Sequence, residues 1–70
     1  MLNNSNDLLR YMAQNLQASD TFFINPQTIE SAGLDNDTFQ EFIDELVANG
    51  YVERYIRSVR ITKDGFDCLM

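Results

Sequence analysis

The chain has 70 residues, 44% of them hydrophobic, with eleven acidic and five basic side chains and a formal charge of −6. Such a length fits one small domain that buries about 60% of its unfolded surface, leaving little volume for a walled catalytic pocket. With no histidine and one cysteine, the chain cannot build a serine–histidine triad, a structural zinc site or an internal disulfide.

Leu8, Leu9, Met12 and Leu16 recur at helical spacing, which predicts a first helix over 5–16. Asn4 or Asn6 serves as its N-cap, and Asp7 lies in the first turn, where the helix dipole favours negative charge. No basic stretch or apolar run marks this end as a secretory signal, and no span approaches 18 apolar residues, so the expectation is a cytoplasmic protein with no membrane contact. Next, Thr21, Phe22, Phe23 and Ile24 form a short β-branched and aromatic run, enough for one brief strand. Asn25 and Pro26 then supply the cap and first position of a second helix, which Gly33 ends after two turns, with Ile29 and Ala32 as its buried points.

The strongest periodicity follows over 34–50. Asp35 caps a third helix, Leu34 and Phe39 form a hydrophobic staple, and Phe39, Phe42, Ile43, Leu46 and Val47 make an apolar stripe. At about 100° per residue that stripe spans roughly 140°, with Asp37, Glu41, Asp44 and Glu45 centred opposite. Gly50 stops the helix. Two strand-like runs, 51–56 and 59–62, flank Arg57-Ser58, read as the turn of a hairpin. With that turn, Ile56 faces Val59, and Val52, Ile56, Val59 and Ile61 share the side that closes the core. Thr62 caps a last short helix carrying Phe66, Leu69 and Met70, three apolar residues that invite a partner. No repeat, low-complexity tract or linker divides the chain, so residues 1–70 read as a single domain.

The order helix, short strand, helix, helix, two-stranded hairpin, short helix is similar to that of a winged helix-turn-helix domain. The segment DELVANGYVERYIRSVRITKDGFDCL resembles the habit of small bacterial or phage-type members, in Gly50-Tyr51-Val52 and in Ile61-Thr62-Lys63-Asp64-Gly65. The resemblance implies an α+β fold with three helices, a short strand, a wing hairpin and a short C-terminal helix. It also implies a non-enzymatic binding module, in many members a transcription regulator that lays its third helix in the DNA major groove and touches phosphates with its wing. Other members bind proteins, and fold alone does not choose between them.

Charge argues against DNA at the third helix, which holds five acids and no basic residue from Asp35 to Asn49. Groove-reading helices rely on Arg, Lys, Asn or Gln. Two unit charges about 4 Å apart in water repel by about 1 kcal/mol, so several carboxylates facing phosphates oppose weak binding. Residues 1–53 carry −8, 54–63 carry +4 and 64–70 carry −2. One candidate surface is therefore the acidic face Asp37, Gln40, Glu41, Asp44 and Glu45. The other is the wing, Arg54, Tyr55, Arg57, Arg60 and Lys63, suited to phosphate or to an acidic partner. The expected role is protein contact, as self-association or docking to a regulatory partner. The alternatives are a dimeric DNA-binding regulator using the wing, and an acidic inhibitor that imitates DNA. No catalytic residue, metal, cofactor or small-molecule substrate is expected: the acid pairs lie on an exposed helix, and the glycines form no phosphate loop. Cys68 reads as a buried or semi-buried structural thiol.

Overall fold

Four helices and a three-stranded antiparallel sheet make up residues 2–70 of this computed structural model; Met1, the first residue of the expected 1–70 domain, lies outside the described residues. In chain order the elements are α1 (Ser5–Gln14), β1 (Thr21–Phe23), α2 (Pro26–Ser31), α3 (Asn36–Ala48), β2 (Val52–Arg54), β3 (Ser58–Ile61) and α4 (Lys63–Cys68).

A polar side chain caps the start of each helix. The side chains of Asn4, Asn25, Asp35 and Thr62 accept from the amides of Asp7, Thr28, Thr38 and Gly65. Each satisfies a donor that the first helical turn leaves bare. At α2 the bond is reciprocated, because the Asn25 amide donates to Thr28 Oγ1 at 3.0 Å, with Pro26 in the first turn. Gly33 and Gly50 follow α2 and α3 with φ of +77° and +76°, a left-handed conformation that strains any residue bearing a Cβ. Helix α1 ends at Gln14, two residues before the expected limit. The Asn15 side-chain amide donates to the Tyr11 carbonyl at 2.8 Å and its backbone amide to Met12, so two of the last turn's carbonyls are satisfied without another turn. Leu16 still packs against the core.

Strand β3 lies between β1 and β2 and pairs with both. The registers are Phe22 opposite Val59 on one side, and Val52 opposite Ile61 with Arg54 opposite Val59 on the other. Alternation along the strands points Phe22, Val52, Val59 and Ile61 inward, where they meet Leu8, Leu9 and Met12 of α1 and Phe39, Ile43 and Leu46 of α3 in one cluster. Tyr11 and Phe22 meet edge to face at 6.1 Å across its margin.

The hairpin turn differs from expectation. The Tyr55 amide donates to the Ser58 carbonyl at 2.9 Å, so the tip is Ile56 and Arg57 rather than Arg57 and Ser58. Strand β1 accounts for the shift: Phe23 pairs with Ser58, and the Ile24 amide donates to the Arg57 carbonyl at 2.8 Å, which draws Ser58 into the ladder. Ile56 is therefore not a core residue but 97% exposed, and Arg54 stands opposite Val59 in its place. Two expectations for α4 are also corrected. Phe66 and Leu69 turn inward against the core, leaving only Met70 of the three apolar residues exposed. That rotation carries Cys68 to the outer side of the helix, where its thiol is free and exposed rather than buried.

Candidate interaction surface

Helix α3 buries Phe39, Ile43 and Leu46 completely and Phe42 in part, while Val47, at the rim of the stripe, stays 40% exposed. Its other side displays Asp37, Glu41, Asp44 and Glu45, with Gln40 half-buried among them. These acids do not form one uniform face. Glu45 leans to α1, where its Oε1 accepts from the Oγ of buried Ser5 at 2.9 Å. Asp44 leans to the sheet and receives Arg54 at 3.2 Å, and Gln40 accepts from the same guanidinium. Among the described residues, Asp37 and Glu41 have no ion-pair partner. At the helix start, the hydrogen bonds from Thr38 hold the Asp35 carboxyl below its ordinary pKa.

Arg54 reaches α3 because it occupies the inward-facing row of β2 at the sheet margin, opposite Val59. It therefore joins the two surfaces that the sequence separates, and one of the four hairpin-region charges is used inside the molecule. Arg60 faces outward in a row with Thr21 and Glu53. Its guanidinium lies 2.7 Å from Asp20 and 3.9 Å from Glu53. The Asp20–Arg60 hydrogen bond lowers the Asp20 pKa and raises that of Arg60, with a smaller contribution to the latter from Tyr55. Tyr55 is half exposed on this outer face; Phe23 stands two strands away, on the far side of Ser58. Arg57 at the tip and Lys63 at the start of α4 make no ion pair with described residues. The free positive charge of this region is thus carried by two side chains, not four.

Sequence reasoning missed a groove of about 730 Å³ between the exit of β1, α2 and the start of α3. Ile24, Pro26, Ile29 and Leu34 give it an apolar lining, with Glu30 and Gln40 at its border. Two signals in the chain bear on it. Helix α2 is only six residues long and buries none of them fully, and Gly33 after it has no side chain to fill the space, with nothing within 4 Å of where a Cβ would stand. Sequence reasoning also missed Asp20 as the partner of Arg60, because that contact exists only once β1 pairs with β3.

Among the described residues, no group of three or more His, Cys, Asp or Glu side chains could hold a metal ion, and no helix is long and apolar enough to cross a membrane. Beside Tyr51, the Cys68 thiol raises the phenol pKa. Comparison with protein-family models, curated proteins and solved structures finds no match for this chain.

Proposed function

We propose that the chain is a winged helix-turn-helix domain that acts by protein contact, without catalysis, as a small regulatory module. In this reading α2 and α3 are the helix-turn-helix, the β2–β3 hairpin is the wing, and α3 with its neighbouring groove meets the partner. The observation that carries it is the exposed side of α3. From Asp37 to Asp44 it offers carboxylates and no cation, and the one arginine beside it is already held by Asp44 and Gln40. A phosphate backbone laid there meets net repulsion, whereas a protein surface with cations and apolar side chains finds complements for both.

A second reading, a DNA-binding regulator that grips phosphates with its wing, draws on Arg57 and Lys63, whose charges are not neutralised by described residues. Fluorescence anisotropy with a labelled duplex between about 50 and 200 mM salt separates the two. Protein contact predicts no saturable binding at the lower salt. Binding that weakens steeply with salt and disappears in an Arg57→Glu, Lys63→Glu double variant overturns it in favour of DNA.

A further inference from the structure

From the placement of the hairpin tip beside the groove, we infer that the chain forms a two-fold dimer in which each copy inserts Ile56 into the other's groove. The inference deepens the protein-contact reading and rests on it, by naming the partner as a second copy of the chain.

The tip is built as a knob. Two-residue hairpin turns favour Asn, Asp or Gly, residues that accept positive φ and are at ease in water. This tip instead holds Ile56, 97% exposed, followed by Arg57, which no described carboxylate neutralises. Neither side chain packs into the fold around it. The groove is built as the matching hole, since Ile24, Ile29 and Leu34 offer it apolar walls, and Glu30, itself without an ion-pair partner, stands at its border. An Ile–Arg knob thus meets an apolar hole with a carboxylate at its edge, and both apolar and charged parts are complementary.

Position on the molecule selects a closed pair. The Ile24 amide donates to the Arg57 carbonyl at 2.8 Å, so one wall of the groove is hydrogen-bonded to the strand that carries the tip. A knob and hole on opposite sides would chain copies into a filament. Placed side by side near one axis, they let two copies exchange tips and close. A contact at the lower end of specific interfaces, about 600 Å² per copy, needs only about an eighth of the 4468 Å² surface. Interfaces at this low end of the size range are those of weak, transient encounters, so the dimer is expected to form in the micromolar range.

Sedimentation velocity on the full chain under reductant, from about 5 to 500 µM, is expected to show a monomer–dimer equilibrium. Reductant removes any dimer made through the exposed Cys68. Ile56→Ser is expected to raise the dissociation constant at least about 30-fold, as truncation of a central anchor does. Arg57→Glu is expected to raise it about 10-fold, with recovery when Glu30→Arg is added. All these positions are exposed, so the circular dichroism of each variant stays that of the parent. On dilution of labelled protein, amide shifts are expected to move at Ile24, Ile29, Leu34 and Ile56. A monomer throughout the range, or a dimer indifferent to Ile56→Ser, overturns the inference. Neither result touches the protein-contact reading, which falls only if the duplex experiment finds wing-dependent DNA binding.

Discussion

Gly65 shows how a single missing side chain can be fixed by its surroundings. A Cβ at this position would overlap the Tyr51 carbonyl oxygen and come within 2.8 Å of Ile61 Cγ2. Thr62 draws the same atoms together, because its hydroxyl donates to the Gly50 carbonyl at 2.8 Å and accepts from the Gly65 amide at 3.1 Å, while its own amide donates to Tyr51 at 2.9 Å. The two short sequence signatures, Gly50-Tyr51-Val52 and Ile61-Thr62-Lys63-Asp64-Gly65, are thus two sides of one contact between α4 and the entry to the hairpin. Thr62 as a cap is legible from the chain. The requirement for glycine is not, since the obstructing oxygen belongs to a residue fourteen positions earlier. Gly65→Ala is expected to lower stability by about 1–3 kcal/mol through overpacking, read as a lower urea midpoint with an unchanged slope.

At the scale of elements, α3 follows its sequence pattern closely and the hairpin does not. Five apolar positions at i, i+3, i+4, i+7 and i+8 define the α3 stripe, and burial divides it as a helix seated on a curved core does: the middle is sealed and the edge residue Val47 is wet. Adjacent residues therefore differ sharply. Leu46→Ala is expected to cost about 2–5 kcal/mol, and Val47→Ala less than about 1 kcal/mol, in thermal or denaturant unfolding. In the hairpin, two-residue periodicity identifies the inward side of each strand. It does not place the turn along the strands, because Tyr-Ile-Arg-Ser contains no residue that demands a turn position. The register is settled instead by β1, through Phe23 opposite Ser58 and Ile24 bonded to Arg57. The same cause hid the knob: Ile56 reads as core only while the turn lies one residue later.

Over the whole molecule, the separation into −8 and +4 segments is partly closed by folding. Arg54 turns to Asp44, and Arg60 to Asp20 and Glu53, so acids from residues 1–53 face cations from residues 54–63. The charge contrast is legible in the sequence; its internal cancellation needs the β1–β3 pairing and the approach of β2 to α3. Folding depresses the Asp20 and Asp35 pKa values below their ordinary 3.8, through Arg60 and through the α3 cap respectively. Both groups therefore bind a proton less readily when folded, and the stability they contribute is present above that value and lost as pH falls through the folded pKa. Thermal midpoints are expected to hold steady from pH 7 to about 5 and to fall below about 4. Asp20→Asn and Asp35→Asn should each flatten that acid limb, the second while keeping a competent cap.

The central position of β3 bears on the order in which the molecule can assemble. Among the described residues, strand β1 has no strand neighbour except β3, and their paired residues are 35 to 39 positions apart in the chain. On a ribosome, the first two-thirds of the chain can emerge and coil into helices, but Phe22 has no partner to zip against until residues 58–61 follow. The sheet is a late clasp: it closes both of its ladders with one four-residue segment, and until then the apolar side of β1 is a surface that a chaperone could hold.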